Sequence, residues 1–290
     1  MSAFLARRQA FQKLHQSGCF VVPNPWDPGT ARYLAHLGFQ ALATTSAGFA
    51  FSRGLPDSGP ALSRQMVLSH IAEIVAATPL PVNADFQAGY GTGPEGVAES
   101  VRLCVATGVA GLSIEDSTGN ADAPLYELPA AIERMAAARA AIDASGSDAS
   151  GSAASGSAAS ESVLLTGRAE CYLVGHPDPL PESIRRLQAY AEAGADVLYA
   201  PGVRSPEDIA AIVSAVHPKP VNVVVMSNTS LSVAHLADLG VRRISVGSSL
   251  ARAAWTGFIR AARDIANQGS FAGLDGSVPF SELDDFFRSR

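Results

Sequence analysis

The sequence predicts an α/β fold, the (β/α)8 or TIM barrel, on three observations. Eight short apolar runs recur along the chain, each of strand length and rich in β-branched residues. Stretches with apolar residues at three- and four-residue spacing separate them, as helices between parallel strands would. The 290 residues also suit such a barrel, which takes about 250. Hydrophobic residues make up 47% and charged residues 17% of the chain, enough for a sizeable core, so overall disorder is excluded.

In chain order, the N-terminal MSAFLARRQAFQKLHQSGC reads as an amphipathic first helix. It has no acid before Asp27, which is also the composition of a transit peptide, but no continuous apolar stretch of the secretory kind. The apolar runs are CFVVP from Cys19, QALATTS from Gln40, PVNADF from Pro81 and AGLSIED from Ala110. They continue with VLLTGR from Val163, ADVLYAP from Ala195, PVNVVVM from Pro220 and RRISVGS from Arg242. Between them, TARYLAHLGF, LSRQMVLSHIAEIVAAT, GPEGVAESVRLCVATGV and PESIRRLQAYAEAGA carry helical spacing. Gly38, Gly108, Gly194 and Gly240 stand where helix C-caps are expected. SELDDFF near the end reads as a capped amphipathic helix at a subunit contact.

One segment breaks the pattern. Ser145–Ser162 is nearly all Ser, Ala and Gly and has no apolar period, which predicts a flexible insertion. The alternation resumes after it, so residues 1–290 are expected to form a single barrel domain. An open doubly wound sheet is the alternative, but no GxGxxG follows the first strand. GYGTGP, from Gly89, lacks the Lys-Ser/Thr ending of a phosphate loop and reads as a turn.

The net charge of −6 comes with no basic stripe, so no nucleic-acid partner is expected. No apolar run is long enough to span a bilayer, so no membrane partner is expected either. Cys19, Cys104 and Cys171 form no CxxC pair or disulfide framework, which points to a reducing cytoplasmic setting. Lys13 and Lys219 are the two lysines, leaving few candidates for Schiff-base chemistry.

Barrel chemistry gathers at the C-terminal ends of strands. Those ends carry Thr45-Ser46-Ala47-Gly48, Asn83-Ala84-Asp85, Glu115-Asp116, Arg168 with Glu170, Tyr199, and Met226 near Asn228. Asp85 and Glu115 offer the oxygens that a Mg²⁺ ion takes, since Mg²⁺ needs few protein ligands and keeps several waters. Arg168 suits bidentate capture of a substrate carboxylate. The Ser46–Gly48 turn can aim backbone amides at a developing oxyanion. The same acids and arginine serve equally as a structural ion-pair ring. His176 is a candidate general acid or a solvated loop histidine. Trp26 either walls the pocket or packs in the core, and Asn222 either faces the mouth or fills the barrel. Ser248 and Ser249 open either a phosphate cradle or an ordinary helix cap.

TTSAGFAFSRGLPD, NADFQAGYG, GVAGLSIEDS, TGRAE and AYAEAGADVLYAPG, in this order and spacing, resemble the isocitrate lyase/phosphoenolpyruvate mutase superfamily. The resemblance covers most of the chain outside the Ser/Ala/Gly segment. It implies a (β/α)8 barrel, often with the last helix exchanged between subunits of a homo-oligomer, a dimer or tetramer. It also implies a Mg²⁺-dependent site for small 2-oxo or 2-hydroxy carboxylates. By this resemblance Asp57 reaches the metal through water or acts on substrate, and Asp85 and Glu115 hold the metal. Arg168 binds substrate, and Thr45, Ser46, Ala47 and Gly48 form the oxyanion and carboxylate turn.

The departures bear on substrate. Asn83 replaces the first acid of the family's Asp-x-Asp motif, and two residues are inserted before Gly89. The segment DSTGNADAPLYEL lacks the Lys-Lys-Cys-Gly-His signature of isocitrate-type lyases, and it has no mutase lysine, with Asn120 in place of a gating asparagine. Pro201 stands where the mutases have a histidine, and Cys171 reads as buried and inert. The expectation is a carbon–carbon lyase working through an enolate. The alternatives are P–C bond chemistry of the mutase or phosphonopyruvate hydrolase kind, and a barrel that binds a metabolite without turning it over.

Overall fold

The computed structural model describes residues 3–58, 61–150, 162–227 and 230–288. Its eight strands are β1 (Phe20–Val22), β2 (Leu42–Ala43), β3 (Val82–Asp85), β4 (Gly111–Glu115), β5 (Leu164–Arg168), β6 (Val197–Tyr199), β7 (Val221–Val224) and β8 (Arg243–Ser245). Each falls inside one of the eight apolar runs. All pair in parallel, in the order β1-β8-β7-β6-β5-β4-β3-β2. The ring closes between β1 and β2, where the Ala43 amide donates to the Pro23 carbonyl at 3.0 Å. Asn24 clasps this seam. Its Nδ2 donates to the Thr44 carbonyl at 2.9 Å, and its Oδ1 accepts from the Val246 and Gly247 amides, each at 2.9 Å.

The helices are α1 (Ala3–Gln16), α2 (Pro28–His36), α3 (Ser46–Ser52), α4 (Arg64–Ala77), α5 (Gly93–Ala106), α6 (Leu128–Ser150), α7 (Pro179–Glu192), α8 (Pro206–Val216), α9 (Val233–Asp238), α10 (Ser249–Gln268) and α11 (Phe280–Arg288). Local chemistry sets their starts. Asp27 caps α2 in a reciprocal box with Thr30, Ser63 caps α4, and Ser205 caps α8 ahead of Pro206. Four stops are glycines with left-handed φ, as the sequence predicts: Gly38, Gly108, Gly194 and Gly240. Among the described residues no helix is long and apolar enough to cross a membrane.

The bottom of the barrel is plugged by α1. Phe11 is fully buried there, edge-on to Phe20. Gly111 makes room for it: a Cβ at that position would lie 2.7 Å from both the Phe11 ring and Asn83 Oδ1. The predicted Ser145–Ser162 insertion begins too early. α6 runs on to Ser150, and Ser145 Oγ donates to the Ala141 carbonyl at 2.7 Å, extending the helix pattern. At the other end Ser162 is anchored, its Oγ accepting from Arg139 Nη2 at 2.8 Å and its carbonyl from Gln12 at 3.0 Å. Residues 151–161 lie outside the described residues.

Candidate active site

A cavity of about 190 Å³ opens where the strands end. Arg168, the last residue of β5, gathers the acids around it. Its Nη1 lies 2.8 Å from Asp85 Oδ1, its Nη2 3.1 Å from Glu115 Oε2, and its Nη2 2.8 Å from Glu170 Oε1. Its Nε also donates to Glu170 at 2.9 Å, and the guanidinium sits 5.1 Å from the Tyr199 ring centroid. Burial alone would weaken this guanidinium's hold on its proton. Glu170, Glu115 and Asp85 outweigh burial and push its pKa up. Glu115 shows the opposite balance. Burial, followed by the neighbouring Glu170, Asp85 and Asp57, overrides Arg168 and raises its carboxyl to about 8.

Strand alternation sorts the adjacent acids. Glu115 turns to Arg168, whereas Asp116 turns to α7, where its Oδ2 accepts from Arg186 Nη1 at 3.0 Å and Tyr190 Oη at 2.6 Å. Asp116 is therefore a clamp between the barrel wall and a helix. Its Oδ1 also accepts the Glu170 amide at 2.9 Å and so fixes Glu170 beside Arg168.

Asp57 lines the cavity from the loop after α3. Gln87 Nε2 donates to its Oδ1 at 3.1 Å. Gln87 itself has φ +43° and Tyr90 φ +50°, left-handed conformations uncommon outside glycine. Residues 87–90 thus form a tight loop that delivers a positioning amide to Asp57. Burial first, and Asp85 second, push the Asp57 carboxyl above its usual range.

In the Ser46–Gly48 turn, expected to aim backbone amides at an oxyanion, two amides are engaged within the protein. The Ser46 amide donates to Asp85 Oδ2 at 2.9 Å, and the Gly48 amide donates to Thr45 Oγ1 at 3.2 Å as the cap of α3. Thr45, Ser46 and Ala47 line the cavity, but Gly48 does not. Its place is steric, since a Cβ there would lie 2.6 Å from Thr45 Cγ2 and 3.1 Å from Trp26 Cβ.

Asn222 borders the cavity, with its Oδ1 accepting from Arg243 Nε at 2.8 Å and its Nδ2 donating to Ser245 Oγ at 3.0 Å. His176 stands away from the cavity, and its Nδ1 accepts the Asp178 amide at 3.2 Å. Trp26 and Asn120 do not border the cavity either, and Cys171 is buried. Ser248 is the α10 N-cap without a side-chain capping bond and touches the cavity rim. Met226 lines the cavity, and Asn228 lies outside the described residues. Sequence reading did not single out Arg243. The signal available was an arginine at an alternate position of a strand whose next inward residue is Ser245.

The site's residues lie within a region, 11–266, that matches the phosphoenolpyruvate phosphomutase family. The chain belongs to this family. A solved structure of a lyase/mutase, so named with "putative", from Burkholderia cenocepacia is 46% identical with a TM-score of 0.90, covering 99% of this chain and 98% of that one. A probable 2-methylisocitrate lyase of Corynebacterium glutamicum is 28% identical over 257 residues, 86% of this chain and 76% of its own. An oxaloacetate decarboxylase of Pseudomonas savastanoi is 28% identical over 282 residues, 95% of this chain and 89% of its own.

The family implies Mg²⁺, and the donor set fits it. Mg²⁺ is held by one or two carboxylates while keeping several waters. Among the described residues no group of three or more acidic, histidine or cysteine side chains is placed to enclose an ion alone. Asp85 and Glu115 are the residues that would supply the one or two carboxylates required. Four acids, Asp57, Asp85, Glu115 and Glu170, crowd one guanidinium, which leaves an excess of negative charge for a dication to offset.

Proposed function

We propose that this protein is a Mg²⁺-dependent lyase that cleaves a carbon–carbon bond of a small 2-oxo or 2-hydroxy carboxylate by way of an enolate. The observation that carries the reading is Arg168 held among Asp85, Glu115 and Glu170 at the mouth of the barrel. Relatives that share this family include proteins named as a methylisocitrate lyase and an oxaloacetate decarboxylase, both carbon–carbon cleaving activities.

Asp85 and Glu115 would hold the ion, which supplies Lewis acidity to the substrate's oxygens. Arg168 exchanges part of its hold on Asp85 and Glu115 for a bidentate grip on the substrate carboxylate. From a 2-oxo diacid, loss of CO₂ leaves the bond's electron pair as the enolate of pyruvate or a similar acid. From a 2-hydroxy diacid, the hydroxyl gives up its proton, a 2-oxo acid departs as the carbonyl fragment, and the electron pair stays as the enolate of the other carboxylate. Asp57, a carboxyl raised above its usual range and steadied by Gln87, is placed to hold and return a proton. Leu173, Pro201 and Met226 line the same cavity and limit water around the reacting atoms.

The test is release of pyruvate or glyoxylate from a panel of 2-oxo and 2-hydroxy diacids, with Mg²⁺, with chelator, and with Asp85→Ala protein. Free metal decarboxylates oxaloacetate, so the mutant is the necessary control. Release that needs Mg²⁺ and vanishes in the mutant supports the lyase. The matched family is named for a phosphomutase, which favours P–C chemistry as the second reading. Phosphonopyruvate in the same panel separates the two. Silence across the panel would favour a metabolite-binding barrel. For partners, we propose a homo-oligomer formed through the exposed face of α10.

A further inference from the structure

Arg243 is a buried cation, and among the described residues no acid pairs with it. It is 3% exposed, on the inner face of β8, and borders the same cavity as Arg168. Its Nε donates to Asn222 Oδ1 at 2.8 Å, its Nη2 to Thr166 Oγ1 at 3.1 Å, and its Nη1 reaches Asn83 Oδ1 at 3.5 Å. All three partners are neutral. These bonds use one hydrogen on each nitrogen and leave a further N–H on each Nη.

A charge taken out of water without a counter-charge is costly. The cost is visible here, because burial pulls this guanidinium down to about 10 with Tyr199 opposing. Arg168 shows the contrast, having three carboxylates within 3.1 Å. Position 83 is decisive. An acid there would lie where the amide oxygen now meets Nη1 and would pair the cation internally. Asparagine leaves the charge open. The cavity is therefore bipolar, with an acid-rich mouth around Arg168 and a cationic floor at Arg243.

We propose that Arg243, flanked by Asn222 and Ser245, is a second anion-binding position at the floor of the cavity, the residue that holds the far carboxylate of the substrate. One carboxylate is held at Arg168 in the mouth, so the inference rests on the lyase reading for that end. The floor position decides the substrate class, since a monocarboxylate leaves the buried cation unpaired.

The test uses malate and lactate, which differ by one carboxylate. Each is titrated calorimetrically into the full-length protein in Mg²⁺. Malate is expected to bind at least about tenfold tighter, the scale set by giving a buried charge its partner. Arg243→Gln should bring malate toward lactate while lactate changes far less. Asn222→Asp places a carboxylate at Nε without changing side-chain shape. It should abolish the malate preference in a protein whose melting confirms the fold, so the outcome does not depend on Arg243→Gln folding. The inference is overturned if wild-type protein binds malate no tighter than lactate, if it binds neither, or if the folded Asn222→Asp protein keeps the full preference. Pyruvate release judges the lyase reading separately. A lyase without malate preference refutes only the floor position, and malate preference without turnover of any panel acid refutes only the lyase.

Discussion

Arg168 neutralises more buried charge than any other side chain of the site. Arg168→Gln strands Asp85, Glu115 and Glu170 together. Leaving buried charges unpaired costs about 3–5 kcal/mol, and loss of substrate grip should lower turnover about a hundredfold or more. Thermal melting and pyruvate release would both fall, and an unchanged melt would refute the charge-balance account. His70 makes a second residue-scale prediction. It is buried, stacked on Phe49 with ring centroids 4.0 Å apart, and its Nε2 has no partner. Burial, then Arg53, depresses it to about 4 from 6.5. Between those values the unfolded chain binds a proton that the folded chain refuses, so stability falls as pH drops from about 6.5 toward 4. The loss should approach about 2–3 kcal/mol near the lower end. His70→Phe should flatten that part of the stability–pH curve in urea titrations, and an identical slope would reject the assignment. At this scale Asp85, Glu115 and Arg168 were legible because they end strands, and Asp57, in the loop after α3, only through the family resemblance of that loop. Arg243 was not, because an arginine within a strand faces in or out according to register, and register with β7 is set by the whole ring.

At the scale of elements, the strands and helix stops were legible because local chemistry sets them: apolar runs, caps and C-cap glycines. The Ser46–Gly48 turn was less so. Its residues were read as free amides, but α3 begins there, and the cap and Asp85 take two of the donors. The loop after β3 was read only as a turn. Its geometry depends on contacts from distant elements: Arg134 Nη2 donates to the Ala88 carbonyl at 2.6 Å and the Gly91 carbonyl at 3.2 Å. Gly91 meets the start of α5 so closely that a Cβ would lie 2.1 Å from the Gly96 carbonyl carbon. Gly91→Ala must push backbone against backbone, at a cost of about 1–3 kcal/mol or more. The same loop carries Gln87 to Asp57, so turnover should fall with stability. Urea unfolding and pyruvate release would check both. A variant with wild-type stability would show that the loop relaxes freely.

Across the whole molecule, the closed ring follows from eight strands separated by helices, but what covers α10 does not. α10 carries Trp255 at 39% and Phe258 at 60% exposure, and Ala251 is its buried residue. α11 does not cover that face. It turns to α2, where Phe286 meets Tyr33 at 5.2 Å and Arg32 lies 5.2 Å from the Phe287 ring centroid. An amphipathic helix with its apolar side toward water is costly unless a partner removes it. A second copy would supply that partner symmetrically, as proposed above, and an exchanged α10 would cover both chains at once. Light scattering after gel filtration should therefore give a mass that is a multiple of the single chain's. Phe258→Asp, which puts a charge at the centre of the exposed face, should shift the mass toward one chain. Its barrel core should stay intact, since Phe258 contributes nothing to it. A wild-type protein that runs as a single chain at micromolar concentration would refute this assembly and leave the exposed face of α10 without an explanation.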